Sequence, residues 1–179
     1  MRTNRITLAA LVLFVTGVAG FAAGNALSQD APASYLGQEH EWLATLAGDY
    51  TAKVGGTLGE SDGVSRIETK LGGLWSFRRF ESSLMGSPYE GLEILGFDPE
   101  QGTFVSVWAD SLTPKLMTME GTYDAATKTL TMRGLSVGMD GEQAEMVNTT
   151  TFRADGMTFT MNIAGMTAPL MTIDSTRKR

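Results

Sequence analysis

Cysteine is absent from this 179-residue chain, and histidine occurs once, at His40. The first absence excludes disulfides, thiol nucleophiles and zinc–thiolate sites, so stability has to come from packing and closed hydrogen bonding. The second leaves no pair of imidazoles for a metal and makes any Ser-His-Asp relay depend on His40 alone. No Gly-x-Ser-x-Gly elbow is present to present a serine nucleophile. His40 stands in "QEHEW", on a short helix rather than a strand, where it faces solvent or caps the helix; an axial haem ligand in a barrel is poorly served from there. No cofactor and no metal site is therefore expected. Basic residues are also few, 14 Lys and Arg against 20 Asp and Glu, for a formal charge of -6. Nucleic-acid binding needs clustered Lys and Arg, and the one concentrated basic run, Arg177-Lys178-Arg179, reads as a solvated end.

A long apolar run occurs once. Ile6 to Ala23 carries no charge, follows the cationic start Met1-Arg2-Thr3-Asn4-Arg5, and precedes the small and polar residues "GNALSQDAPA". That order is the order of a secretory signal, with Ala26 and Ser28 three and one positions ahead of a cut before Gln29. The run is also close to the length of a membrane span, so a retained anchor is the alternative. The expected organisation is a signal or anchor helix over residues 1–28, a short linker over 29–37 and a single domain over 38–179. The compartment implied is periplasmic or extracellular, with membrane contact only through an uncleaved N-terminal segment. Without cysteine, a lipid anchor attached at the cleavage point is excluded.

Within the domain the hydrophobic period changes. "QEHEWLATLAG" places Trp42, Leu43 and Leu46 at helical spacing and ends in Gly, which predicts a short helix from Gln38 to Gly48. From Asp49 onward the period is 2. Met157, Phe159, Met161 and Ile163 alternate with Thr158, Thr160 and Asn162; Met117, Met119 and Tyr123 share one face, as do Met171 and Ile173. Turn signals separate the runs, among them Glu60-Ser61-Asp62-Gly63, Met85-Gly86-Ser87-Pro88, Asp98-Pro99-Glu100-Gln101-Gly102, Tyr123-Asp124-Ala125-Ala126-Thr127, Met139-Asp140-Gly141 and Ala154-Asp155-Gly156. About ten short strands with close connections predict an all-β fold, an antiparallel up-and-down barrel. Such a barrel removes exposed edges, and its interior either encloses one small ligand or is filled by side chains.

The pieces "HEWLATLAGDY", "LGGLW", "MGSPYEGLEILGFDPEQGTFVSVWADS", "GTYDAATKTLT" and "STRKR", in that order, resemble the bacterial domain-of-unknown-function family 1579. The resemblance implies a lipocalin-like or calycin-like barrel, often exported, and brings no established activity. Tyr50 departs from it, since the family usually carries Trp after Gly-Asp or Gly-Glu.

Candidate ligand contacts follow from composition and parity. Ten methionines lie between Met85 and Met171; their unbranched, polarizable side chains either line an adaptable apolar pocket or fill the core. Trp75, Trp108, Met117, Met119, Phe159 and Met161 are the candidate pocket liners. In "LWSFRRFES", adjacent Arg78 and Arg79 point to opposite faces, so one can aim inward at an acidic partner or an anionic head group; otherwise both pair with surface carboxylates. Arg78 and Asp110 are the candidate polar contacts. In "FVSVWADSLTP", Phe104, Ser106, Trp108 and Asp110 share a face, while Val105 and Val107 make the strand apolar on its other side too. Asp110 either addresses a ligand beside Trp108 or bonds its own turn. The reading is a non-enzymatic barrel for a small hydrophobic or amphipathic ligand; the alternatives are a packed module with no ligand, or a cofactor-free enzyme using rim carboxylates such as Glu90 or Asp110. The sequon Asn148-Thr149-Thr150 matters only in a glycosylating pathway.

Overall fold

The computed structural model describes residues 35–137 and 143–179; the expected leader and the Met139-Asp140-Gly141 turn lie outside these residues. One helix, α1 (Gln38–Thr45), leads into ten strands. They are β1 (Gly48–Gly55), β2 (Ser61–Lys70), β3 (Trp75–Leu84), β4 (Ser87–Asp98), β5 (Thr103–Asp110), β6 (Met117–Asp124), β7 (Thr129–Val137), β8 (Gln143–Arg153), β9 (Gly156–Ile163) and β10 (Met171–Arg177). Each strand pairs with its neighbours in sequence, and β10 returns to β1 to close the barrel. The closing ladder is antiparallel and runs from Tyr50↔Arg177 to Gly55↔Thr172. The expected all-β, ten-stranded architecture is thus the observed one.

Turn chemistry fixes where strands stop. The Asp98 carboxylate accepts the N–H groups of Glu100 and Gln101 at 2.9 and 3.2 Å, and Asp124 accepts that of Ala126 at 2.9 Å. Asp98 is held below the usual carboxylate range by the Gln101 N–H first, and Asp124 by the Thr127 hydroxyl, which donates to it at 2.8 Å, and then by the Ala126 N–H. Between β3 and β4 the loop is only Met85-Gly86, both left-handed at φ 52° and 79°. Two residues of that conformation match the twist of paired strands, although a methionine there is strained. Ser87 and Pro88 of the expected turn already belong to β4, and Ser61, Asp62 and Gly63, expected as a turn, pair with β1 as the start of β2.

One end of the barrel is plugged by α1. Trp42 stacks on Tyr123 at 4.3 Å and meets the edges of Phe104 and Phe152 at 5.4 and 5.1 Å. Leu43 of the same helix and Leu46, its C-cap, join a buried cluster with Tyr50, Ile67, Leu95, Phe104 and Leu130; the helix stops at Thr45 and not at the expected Gly48, which begins β1. His40 does not face solvent. It is buried against the edge of Phe97, and its Nδ1 accepts the N–H of Gly37, so the ring caps a helix start that lacks a capping side chain. At the other end of α1 the free carbonyls are taken from the barrel wall. Arg177 donates to Ala47 and Thr45 at 2.6 and 2.7 Å, and the Tyr50 hydroxyl donates to Leu46 at 2.7 Å. The Arg177 guanidinium also lies 5.1 Å over the Tyr50 ring. Tyr50 therefore does at the base what a tryptophan could not do with the same atoms, bonding a helix carbonyl through its hydroxyl.

Because two charge-assisted bonds and a cation–π contact converge on Arg177, Arg177→Ala should lose about 2 kcal/mol of unfolding free energy in urea. Lys53→Ala, which breaks only an exposed pair with Asp62, should change it by less than about 0.5 kcal/mol. Equal effects of the two would show that Arg177 does not tie α1 to the barrel.

Candidate functional site

Closure assigns every strand residue to the inside or the outside. Inward positions are Tyr50, Ala52 and Val54 on β1, Ser76, Arg78 and Phe80 on β3, Tyr89, Glu93 and Leu95 on β4, and Phe104, Ser106 and Trp108 on β5. On the facing wall they are Met117 and Met119, Leu130 and Met132, Met146 and Asn148, Phe159 and Met161, and Met171 and Ile173. The interior is layered along the axis: aromatic base, polar waist, methionine-rich mouth.

The mouth, opposite α1, holds a pocket of about 270 Å³. Trp108, Met117, Met146, Met161 and Met171 form its wall, and Leu112 and Leu116 of the β5–β6 loop extend it outward. Both leucines are exposed, at 61% and 68%, so apolar surface continues from the pocket onto the rim. The Trp108 ring is fixed from two sides. It lies over Gly91 of β4, where a Cβ would come within 2.1 Å of the indole. Its Nε1–H donates to Asp110 Oδ2 at 3.0 Å. The other Asp110 oxygen accepts the N–H groups of Leu112 and Thr113 at 2.9 and 3.1 Å. Asp110 thus belongs both to the pocket wall and to its own turn: one oxygen steadies the pocket's tryptophan and the other folds the rim loop. Tyr89, buried beside it, has its phenol pushed up, by burial first and then by the Asp110 charge.

At the waist a second cavity of about 30 Å³, room for one water molecule, is bounded by Arg78, Glu93, Ser106, Met119, Asn148 and Phe159 among others. Arg78 is the inward arginine, and its side chain is only 9% exposed. It stands directly across from Glu93 in the β3–β4 register. Nη1 lies 3.8 Å from Glu93 Oε2, an ion pair too long for a hydrogen bond, and Nε has no hydrogen-bond partner. The rings of Phe80 and Phe159 flank the guanidinium at 5.7 and 5.9 Å. Pairing of both arginines with surface carboxylates is accordingly overturned for Arg78. Glu93 is held above its usual 4.5 by desolvation, opposed by Arg78. Asn148 Nδ2 reaches Met119 Sδ at 3.1 Å, and its Oδ1 has no partner. The sequon asparagine is therefore buried and not presented to a glycosylating enzyme.

Trp75 is a correction. It faces outward, its ring laid over Gly96, whose added Cβ would meet it at 2.5 Å. Trp75 and Arg78 are three positions apart on one strand, and alternation cannot aim both inward. With Phe77, Ile94, Val105 and Val107 it lines an outer apolar groove of about 800 Å³, which is why β5 carries apolar residues on both faces. Of the other candidate residues, Trp108, Asp110, Met117 and Met161 meet at the mouth, while Arg78, Met119 and Phe159 meet at the waist. Sequence reasoning missed Glu93, Tyr89, Met146 and Met171. Parity could have proposed Met171 alongside Ile173; Glu93 required the register that places it across from Arg78. Glu90, by contrast, is exposed on the outer face. Among the described residues no group of three or more His, Cys, Asp or Glu is placed to hold a metal ion.

A family model described as "Protein of unknown function (DUF1579)" matches residues 36–177. No curated protein matches the chain.

Two outcomes follow from this geometry. Gly91→Ala should drive the Trp108 ring off the wall, red-shifting the tryptophan emission and weakening the fold by about 1–3 kcal/mol; an unchanged spectrum would mean that the wall yields instead. A carboxyl whose folded pKa is raised stabilises the fold fully below its unfolded value and loses that contribution as pH rises through the folded value. Glu93→Gln, which keeps the protonated shape at every pH, should therefore exceed the parent in stability at pH about 8, and the gap should close below the unperturbed 4.5. Urea titrations at the two ends check the sign, and a parent more stable at the upper end would refute the assignment.

Proposed function

The chain belongs to the DUF1579 family, whose description carries no activity, and from the geometry of the barrel we propose that it is an exported, non-enzymatic carrier or sensor of a small hydrophobic or amphipathic molecule. The observation that carries the reading is the asymmetry of the barrel ends. One is filled by Trp42 and its aromatic neighbours, and the other opens into a pocket walled by Trp108 and four methionines. A cavity of about 150 Å³ holds benzene, so 270 Å³ accommodates on the order of ten to twelve non-hydrogen atoms. Apolar walls supply affinity by removing ligand surface from water, and flexible thioethers tolerate variation in ligand shape. Export rests on the cationic start and apolar run at the N-terminus, with membrane contact limited to that segment if it is retained. The acidic balance argues against nucleic acid as a partner.

Native mass spectrometry of protein purified from its own host should return a mass above that of the polypeptide. Calorimetric titration with 1-decanol should show binding that Met161→Trp, which fills the pocket, weakens at least ten-fold, or about 1.4 kcal/mol. No retained mass together with no uptake of the alcohol would return the domain to the packed-module reading.

A further inference from the structure

Among the cavities, the waist combines three features that the ligand reading leaves unused: a guanidinium nine-tenths buried, an Nε with no partner, and a small polar space beside it. A buried cation in a protein interior is costly unless its donors are met. Glu93 at 3.8 Å meets the charge in part and the donors not at all. Phe80 and Phe159 attract the cation through their ring faces and accept no N–H bond in the ring plane. The remaining polar wall of the waist cell is Ser76, Ser106, Thr150 and Asn148, the last already turned toward Met119.

The waist lies directly beneath the mouth. Met117 and Met119 are consecutive inward residues of β6, and Phe159 and Met161 of β9, the outer member of each pair lining the mouth and the inner one the waist. The two spaces share no lining residue, so side chains of the buried cluster around Phe80, Met171 and Ile173, with Phe159 and Met161 packed on it, must move for one to open into the other; the unbranched methionines are the most adaptable of them. Glu93 and Tyr89 mark the two levels on β4, four residues or about 13 Å apart. The rim offers an anion little by comparison. Both Asp110 oxygens are engaged and negative, and Leu112 and Leu116 are apolar, which leaves Lys115 as the competing cation among the described residues that line the pocket.

We propose that the molecule taken up at the mouth is a carboxylate-bearing amphiphile that enters head first, its carboxylate at Arg78 in the barrel waist and its apolar part between Trp108 and the mouth methionines. The inference rests on the mouth-pocket reading and adds the ligand class and its orientation. A planar carboxylate matches the guanidinium fork, and its single charge is repelled by Glu93 less than the higher charge of a phosphate would be. The bound carboxylate displaces whatever fills the cell and supplies acceptors for the unmet guanidinium donors. Glu93 then becomes a competitor, since two carboxylates share one cation.

The test compares decanoate with 1-decanol by calorimetry on the purified protein and three variants. Decanoate should bind at least ten-fold tighter than the alcohol. Arg78→Met should abolish that preference while retaining the alcohol, Glu93→Gln should raise decanoate affinity several-fold without changing that of the alcohol, and Lys115→Met should leave the preference in place. Equal binding of the two probes by the parent, a preference that survives Arg78→Met, or one lost in Lys115→Met would overturn the head-first placement while leaving the mouth pocket intact. Binding of neither probe removes the pocket reading and this inference together. Should Arg78→Met fail to fold, Glu93→Gln decides alone: unchanged decanoate affinity refutes the proposal.

Discussion

The ladder between β1 and β10 joins the two ends of the domain, Tyr50 to Arg177, and everything described inside the barrel depends on that closure. Ten strands with both edges paired leave no free row of backbone donors and acceptors. They also convert a local property, the alternation of side chains along a strand, into a global one. Each residue is then inside or outside, with no intermediate choice, and a slip of one position would exchange the polar coat for the core. The same ladder delivers Arg177 to the carbonyls of Ala47 and Thr45, so closing the wall and fastening the plug are one event.

From closure follows a gradient of stiffness along the axis. The base is built from aromatic rings in contact at 4.3 to 5.4 Å, flat groups with few rotamers and mutual orientation preferences. The mouth is built from methionines, which have three flexible bonds and no preferred packing partner. Rigid support below and adaptable surface above is a division that suits capture of a small molecule at one end only. Trp108 is the exception at the mouth, and it is immobilised by means the methionines lack: a glycine beneath the ring and a carboxylate on its indole nitrogen. Between the two layers, Arg78 and Glu93 place charge where water is scarce. Such a pair is weak evidence for stability, because desolvation offsets attraction.

Much of this was legible beforehand. Period-2 patterning from Asp49 and regularly spaced turn residues gave the strand count and antiparallel order. Asp98 and Asp124 behave as the turn residues they resembled, because an aspartate's bonds to the next two or three N–H groups are local. The pairing of Trp108 with Asp110 on one face was likewise a local inference, and the hydrogen bond between them bears it out. Trp75 failed for an instructive reason. Its size suggested a core residue, but the outer face of β3 to β5 carries Phe77, Ile94, Val105 and Val107, and Gly96 provides a flat bed for the ring. Hydrophobicity alone cannot choose a face when both faces are apolar.

The sequence by itself determined the class of fold, the lack of any thiol, and which residues share a side of each strand, and it marked several of the turns, since these depend on composition or on neighbours a few positions away. Which side faces in was settled only in three dimensions. Parity leaves a twofold choice on every strand, and register decides the partner across the gap. Arg78 became interior because Ser76 and Phe80 are, and it met Glu93 because β3 and β4 pair in that register. Even the opening of the mouth is tertiary: α1 follows the closed wall at one end, and no equivalent plug among the described residues fills the other.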